Sequence, residues 1–191
     1  MENNKSLSDK ELMARVADQD STALEELYDR YSTILYTLIR KIVVDKSISQ
    51  EVLEEIFITI WQKKDKLTSN TDSVYTWLIT FARNKAVDRK RREESGENFP
   101  DYTDEYEEQF ILPRISKVIE PLDLNSAIGA KDKFEDALSK LTDAQKFVLY
   151  LAYYEGKTQS QIAAQLNIPD STVKSKIQLS LSKLKQNLTS E

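Results

Sequence analysis

Apolar residues recur along most of this chain at spacings of three and four, which is the period of an amphipathic α-helix. The longest such stripe extends from Ala23 to about Val44, roughly five to six helical turns, and predicts a long core helix. Another stripe, from Leu53 to Trp61, lies in a helix that is predicted to begin at Ser47 and to end near Lys64, and a third stripe begins at Val74. The pattern predicts a chain built mainly from helices.

Capping signals mark where several of these helices begin. In a capping box, a Ser or Thr hydroxyl accepts from the third backbone N–H, and a Glu or Gln three residues later bonds back to the cap. Two further helices are expected to begin at Asp20 or Ser21 and at Asp72 or Ser73. Capping boxes are predicted at Ser8, Ser47, Thr142 and Thr158.

A short helix, a tight turn and a second helix are predicted between Thr158 and Gln186. Ala163 on the inner face of the first helix is small enough to let the second helix approach closely. Asn167 tolerates a left-handed turn, and Pro169 begins the next helix. This spacing is typical of a helix-turn-helix, although similar helix pairs also occur in bundles that do not bind DNA.

The second of these helices is amphipathic. Its inner face is expected to contain Val173, Ile177, Leu181 and Leu184. The other faces carry hydroxyl, amide and ammonium groups, which suit the phosphates and base edges of a major groove. We therefore predict a DNA-reading surface at Ser171, Thr172, Lys174, Ser175, Lys176 and Gln178.

The helix predicted before the middle of the chain changes character along its length. Its first half is apolar, and we assign Trp77 to the core because it is in phase with Leu78 and Phe81. Residues 83–92 then hold six cations opposed only by Asp88, a density that predicts phosphate binding. A solvated helix terminus would explain the cations of the last turn but not all six.

The helix that begins near Ser47 has one unusual face. Its buried side is apolar, whereas the opposite side is acidic and still contains an isoleucine. A purely charged face is usually only solvated, but an exposed apolar residue among carboxylates is typical of a protein-binding patch. We predict such a patch at Glu51, Glu54, Glu55 and Ile58.

Composition narrows the possible functions. The chain has 191 residues, 40% of them apolar, and only three Gly and four Pro, which disfavours turn-rich β architectures. The absence of Cys and His excludes disulfides, imidazole catalysis and Cys/His zinc sites. No phosphate-loop, paired-acid or metal-ligand spacing is present, so we expect no cofactor, no metal and no enzymatic activity. Without a signal peptide or membrane-length apolar run, a cytoplasmic protein with no membrane insertion is expected.

Charge is unevenly distributed around a net value of −5. Residues 93–131 hold ten acidic and three basic side chains, whereas the segments on either side are close to neutral. The same segment contains Gly and Pro and shows no helical period. We predict an all-α fold of two small helical domains, residues 1–92 and 132–191, joined by an acidic linker at residues 93–131.

Three of these stretches together resemble bacterial sigma factors of the extracytoplasmic-function group, a branch of the sigma-70 family. The helix-turn-helix is similar to sigma region 4, and the run WLITFARNKAVDRKRR is similar to the region 2 helix that recognises the minus-ten promoter element. The acidic helix resembles the one that binds the clamp of RNA polymerase. The family usually has Asp in place of Glu51 and Gln in place of Glu54, and the chain departs most from this pattern at Glu54.

The resemblance implies a factor that binds core RNA polymerase and directs it to specific promoters, with the helix-turn-helix surface at the minus-thirty-five element. It also implies an anti-sigma factor as a partner and a linker that threads the polymerase cleft. A free-standing helix-turn-helix regulator is the alternative, and it would have no use for the acidic face. In this family, recognition of the minus-ten element includes a base that is flipped from the duplex. The residues that the resemblance places at this element are Asn70, Asp72, Ser73, Arg83, Asn84, Asp88, Arg91 and Arg92.

Overall fold

A computed structural model describes residues 7–62, 73–95 and 123–189 of the chain. Within these ranges the structure contains nine α-helices and no strand, which confirms the predicted all-α fold class. The chain divides into two compact units, Met1–Phe99 and Pro100–Glu191. The helices are α1 (Asp9–Ala17), α2 (Ser21–Ile42), α3 (Lys46–Gln62), α4 (Val74–Ser95), α5 (Leu124–Gly129), α6 (Lys131–Ser139), α7 (Asp143–Tyr153), α8 (Gln159–Leu166) and α9 (Asp170–Thr189).

Some predicted features lie outside the described residues. These are the minus-ten residues Asn70 and Asp72 and the central part of the acidic linker, residues 96–122. Among the helices of the described ranges, none combines the length and the hydrophobicity that a bilayer span requires. The same ranges contain no cluster of three or more acidic side chains that could hold a metal ion.

In the first unit, α2 is the central helix and packs against α1, α3 and α4. Its inner stripe follows the predicted spacing, and Leu27, Tyr31, Leu35 and Ile39 are almost completely buried. Burying an aliphatic or aromatic side chain of this size stabilises the fold by about 1.5–3 kcal/mol relative to leaving it exposed. The long stripe therefore supplies much of the core on which α3 and α4 are positioned.

A polar contact fixes α1 on α2 beside this core. The hydroxyl of Tyr31 donates to the carboxylate of Asp9, and Arg30 donates to the same carboxylate at 2.9 Å. Burial and the hydrogen bond to Asp9 together raise the pKa of Tyr31 far above its ordinary value. Tyr31 therefore stays protonated and acts as a hydrogen-bond donor in the folded unit.

Most helix starts follow the predicted caps, but α3 does not. The capping box at Ser8 and the caps at Asp20 and Ser73 are present. The predicted start at Ser47 is wrong, because α3 begins at Lys46 and the Asp45 carboxylate accepts from the Ile48 amide at 3.0 Å. Both residues can cap a helix, but a carboxylate is a stronger acceptor than a hydroxyl, and the structure uses Asp45.

The second unit departs from the predicted pattern at α5 and at two aromatic residues. Helix α5 forms within the segment predicted to be irregular, capped by the Asp123 carboxylate, which accepts from the Ser126 amide at 2.7 Å. Phe134 and Phe147 belong to apolar stripes with helical spacing in the sequence, yet both are exposed. The inward position of α6 is taken instead by Ala137, which is completely buried in a cluster with Leu141 and Leu184.

Candidate nucleic-acid interface

The first helix of the predicted helix-turn-helix is α8. Its capping box at Thr158 is complete, because the Thr158 hydroxyl accepts from the Gln161 amide and the Gln161 side chain accepts from the Thr158 amide at 2.9 Å. The helix ends at Asn167, whose φ of 51° and ψ of 48° lie in the left-handed region. The Asn167 amide donates to the carbonyls of Ala163 and Ala164, so the turn satisfies the end of the helix.

The turn then leads directly into α9. The Pro169 carbonyl accepts from the amides of Thr172 and Val173, which begins the helix at the predicted position. Ser160 on α8 donates to the Asp170 carboxylate at 2.5 Å, and this bond links the first turns of the two helices. The second helix is therefore held in a defined orientation on the first.

Helix α9 is anchored by an apolar face that packs on α7 and α8. Val173 and Ile177 are almost completely buried in one cluster with Ile162 and Ala163 of α8 and Val148 of α7. Ala163 occupies the contact between the two helices, as the sequence predicted, and its small side chain permits their close approach. Leu181, which was also assigned to this face, is only partly buried.

The predicted DNA-reading residues of α9 share the opposite surface. Thr172 is half-buried, and the other members of the set are exposed: Ser171, Lys174, Ser175, Lys176 and Gln178. The Ser175 hydroxyl donates to the Ser171 carbonyl at 2.9 Å, which leaves its oxygen as an acceptor toward solvent. The surface offers small hydroxyl groups and two ammonium groups without bulky side chains near its first turns.

The basic part of α4 is arranged differently from the exposed phosphate-binding run that its charge density predicts. Arg83, Asn84 and Asp88 are 4%, 6% and 7% exposed and therefore lie against the unit rather than toward solvent. Helix α4 packs on α1, α2 and α3, so more than one of its faces is covered. The Arg83 guanidinium donates to the Asn84 side-chain oxygen at 2.9 Å within this buried layer. Of the implied minus-ten set on α4, Arg92 is exposed and Arg91 is half-buried.

Asp88 is the acidic residue among the six cations of residues 83–92. Its burial raises the pKa of the carboxyl above the ordinary value, and the positive charges of Arg91 and Arg92 oppose this shift without cancelling it. Burial also disfavours the charged form of Arg91, which lowers the pKa of its guanidinium, although the negative charge of Asp88 acts in the opposite direction. The carboxylate and the guanidinium groups therefore form one electrostatically coupled group at the C-terminal half of α4.

The predicted protein-binding patch lies on α3, and its four residues are exposed on one side of the helix. Ile58 is 54% exposed although it is a large apolar side chain, which distinguishes this patch from a solvated charged face. The Glu54 carboxylate accepts from the Gln50 side chain at 3.1 Å. Two of the carboxylates also contact α4: Lys85 bonds to Glu55 at 2.5 Å and Arg89 to Glu51 at 2.8 Å.

At the start of α4, the Ser73 hydroxyl accepts from the Thr76 amide at 3.1 Å. This bond is a helix cap, so the residue that the resemblance places near the flipped base is also structural. Trp77, which was assigned to the core, is only half-buried and stacks on Phe81 with ring centroids 5.2 Å apart. Its ring therefore presents part of its surface one turn before the basic half of the helix.

One exposed residue of α9 was not identified from the sequence. Leu179 is 55% exposed, although leucine at a helical position normally indicates the core. The signal that could have identified it is its phase, because Leu179 does not fit the stripe formed by Val173, Ile177 and Leu184. It lies instead on the side that carries Ser175.

Comparisons with known families agree with both halves of this arrangement. The family model for Sigma-70 region 2 matches residues 27–96, which include α3 and α4. The family model for Sigma-70, region 4 matches residues 131–184, which include the helix-turn-helix. The two matches fall in different compact units.

Curated relatives are similar over nearly the whole length. The ECF RNA polymerase sigma factor SigK of Mycobacterium bovis (strain BCG / Pasteur 1173P2) is 30% identical over 178 residues, covering 93% of this chain and 91% of the relative. The SigK of Mycobacterium sp. (strain KMS) is 28% identical over 177 residues, covering 93% and 89%. Among solved structures, CnrH in complex with the cytosolic domain of CnrY aligns over 94% of this chain and 96% of that chain, with 20% identity and a TM-score of 0.42.

Proposed function

The chain belongs to the extracytoplasmic-function group of the sigma-70 family of RNA polymerase sigma factors, and we infer from this membership that it binds core RNA polymerase and directs it to specific promoters. The observation that carries this function is the presence of both family regions in one chain, each in its own compact unit. A free-standing regulator needs only the helix-turn-helix, so that alternative is not favoured. Sigma factors regulate transcription, and we propose that this chain has no catalytic activity of its own.

We propose that α3 supplies the main contact to core polymerase through Glu51, Glu54, Glu55 and Ile58. Three observations support this assignment: the residues are exposed, they share one side of the helix, and the patch contains an apolar side chain among the carboxylates. A buried apolar anchor surrounded by polar groups is the usual composition of a strong protein contact. Glu54 keeps its carboxylate exposed in the position where the family usually has Gln, and it adds a negative charge to the patch.

The second unit is proposed to read the minus-thirty-five element with α9. The residues of this surface are Ser171, Thr172, Lys174, Ser175, Lys176 and Gln178. Support comes from the rigid attachment of α9 to α8, because a recognition helix must present its side chains in one fixed orientation. The small side chains of its first turns allow the backbone to approach the base edges closely.

For the minus-ten element, we propose a division of roles within α4 and the residues before it. Arg91 and Arg92 are more exposed than the other implied minus-ten residues of α4. They are proposed to contact DNA, together with the segment that contains Asn70, Asp72 and Ser73. Arg83, Asn84 and Asp88 are buried in the free protein, so we propose that they hold the orientation and the electrostatic potential of this helix. Binding energy from polymerase would then offset base unstacking, which costs a few kcal/mol in other systems.

An anti-sigma factor is proposed as an additional partner on the strength of family membership alone. The cytoplasm is the proposed location, because core polymerase and promoter DNA are found there. An exposed α3 patch is available for either protein partner in the free chain. Competition between core polymerase and an anti-sigma factor for the same patch would be one simple form of control.

The experiment that tests the function is in vitro transcription with purified core polymerase, with and without the chain, on a set of promoters from the source genome. A sigma factor gives promoter-specific transcripts only when the chain is added. Selective binding of promoter DNA by the chain alone, with no effect on core polymerase, would indicate a free-standing regulator instead. Separate titration of core polymerase with the labelled chain distinguishes failure to bind polymerase from failure to select promoters.

A further inference from the structure

Leu179 of α9 is exposed and does not belong to the buried face of the helix. The inner face of the helix is formed by Val173, Ile177 and Leu184, and Ser180 is buried beside them. Leu179 lies off this face and leaves 55% of its surface in solvent. A single exposed leucine on a protein surface needs no functional explanation, but this one is located on the surface that the proposed function assigns to DNA.

Leu179 lies in line with two of the predicted DNA-reading residues of α9. At about 100° per residue, Ser171, Ser175 and Leu179 follow one another along the middle of the exposed side, one turn apart. Lys174 and Lys176 lie about 200° from each other and so flank this ridge on its two sides. The ridge therefore combines two small hydroxyl residues with one large apolar residue, and the cations lie at its margins.

This order matches the order of groups across a major groove. When a helix lies in the groove, its central ridge faces the base edges, and its flanks face the phosphates of the two strands. Serines on the central ridge let the helix enter deeply, and lysines on both flanks can reach phosphates. The apolar group that base pairs present in the major groove is the C5 methyl of thymine.

We propose that Leu179 contacts the C5 methyl of a thymine in the promoter element bound by α9, and so helps to determine which sequence the protein selects. The proposal rests on the proposed function, because it requires α9 to bind duplex DNA. It adds a specificity residue to the hydroxyl and ammonium groups assigned above. The contact would require a thymine about one turn of α9 beyond the bases nearest Ser175, measured along the axis of α9.

The test uses holoenzyme assembled from core polymerase and the full chain. A preferred duplex is first selected from random sequences in the minus-thirty-five region, and each thymine there is then replaced singly by deoxyuridine, which removes only the methyl group. At one thymine, we expect a loss of about fourfold in affinity for the unaltered protein, the amount that burial of one methyl group gives. With Leu179→Ala, the same replacement should change affinity by less than about twofold.

Two further variants control the interpretation. Leu179→Met keeps a large apolar side chain and should retain the dependence on the thymine methyl. Ser182→Ala changes an exposed residue one turn further along α9 and should leave the dependence unchanged. Because Leu179 is exposed, thermal unfolding of Leu179→Ala should match that of the unaltered chain, which separates the contact from an effect on the fold.

Several outcomes would overturn the proposal. Equal responses of the unaltered protein and Leu179→Ala at every thymine would show that the side chain does not read a methyl group. Weaker binding of Leu179→Ala to core polymerase in the absence of DNA would assign the residue to a protein interface instead. If scrambling the whole selected element has no effect on holoenzyme binding, the role of α9 itself is wrong, and that failure is distinguishable from a failure at Leu179 alone.

Discussion

Arg89 of α4 donates to Glu51 of α3 at 2.8 Å, so a cation of the helix proposed for the minus-ten element holds a carboxylate of the patch proposed for core polymerase. One turn away, Lys85 makes the equivalent contact to Glu55. Both pairs are partly exposed, and pairs of this kind typically contribute only about 0–1 kcal/mol to stability. These pairs therefore matter less for stability than for their location, because the proposed polymerase-binding patch of α3 and the proposed minus-ten helix α4 meet there.

A charge swap at this pair separates its internal role from its contact with polymerase. Arg89 also bonds to Glu93 at 3.2 Å. Glu51→Arg or Arg89→Glu alone should lower the free energy of unfolding by up to about 1 kcal/mol. The double change should recover the part of this loss that comes from the contact between positions 51 and 89, because opposite charges face each other there again. Affinity for core polymerase should fall in Glu51→Arg and stay low in the double variant. Chemical denaturation and titration of labelled chain with core polymerase measure the two quantities. Recovery of polymerase binding in the double variant would limit Glu51 to a structural role.

Ile58→Glu tests the apolar part of the same patch. Ile58 is off the buried stripe, so the variant should keep its fold. Burial of a new carboxylate in a protein interface should reduce affinity for core polymerase by roughly 30-fold or more, as expected for an interface hot spot. The matched control is Val44→Glu, which introduces the same side chain at a position that is 83% exposed between α2 and α3. If both variants assemble with core polymerase equally well, Ile58 is not part of the contact.

Helix starts were predicted from the sequence most accurately where the bonded groups are close together in the chain. The boxes at Ser8, Thr142 and Thr158 join groups three residues apart, so tertiary structure has little influence on them. The start of α3 was missed because Asp45 and Ser47 are both suitable caps only two residues apart, and the structure uses Asp45. Helical period identified the core of α2 but not the exposure of Phe147, because an apolar stripe can be wider than the surface that its neighbours cover.

The candidate surfaces were predictable to different degrees for the same physical reason. The exposed side of α9 follows from its own period, since its inner face is strongly apolar. The burial of Arg83 and Asp88 depends on how α1, α2 and α3 surround α4, which the local sequence does not specify. The pair Arg89–Glu51 joins residues far apart in sequence, so charge density indicated cations on α4 but not what each one contacts.

The lysines that flank the ridge of α9 should contribute mainly through phosphates. We expect Lys174→Ala and Lys176→Ala each to weaken holoenzyme binding to all sequences and to reduce the slope of log K against log salt by about one. Lys133→Ala, an exposed lysine on α6, serves as the control for net charge. A loss of about 1–3 kcal/mol confined to one base pair would instead indicate a contact to a base edge. No change in either variant would contradict the assignment of α9 as the reader.

Asp88→Asn tests the buried charge in α4. The pKa of Asp88 is higher in the folded state than the ordinary value of 3.8, so its protonated form favours folding. This contribution is complete below pH 3.8 and is lost as the pH rises through the folded-state pKa. Asp88→Asn should therefore be more stable than the unaltered chain at neutral pH, with the difference disappearing in acid.

Denaturant unfolding of both proteins between about pH 3 and pH 8 measures this difference. Asp29→Asn on α2, where the carboxylate is exposed, controls for the change in net charge. A variant that is less stable than the unaltered chain at neutral pH, by an amount that grows with pH, would mean that the arginines around Asp88 stabilise its ionised form more than burial destabilises it.

Two adjacent alanines of α8 test the helix-turn-helix packing. Ala163 is buried between α8 and α9, whereas Ala164 is exposed on the same helix. Ala163→Leu should lower the free energy of unfolding of the second unit by about 1–3 kcal/mol, since the added atoms have no space between the two helices. Ala164→Leu should change it by less than about 0.5 kcal/mol. Because Ala163→Leu also displaces α9 from α8, we expect it to reduce promoter selection while binding of core polymerase through α3 is retained. Equal stability of the two variants would show that the helices do not require a small residue at their contact.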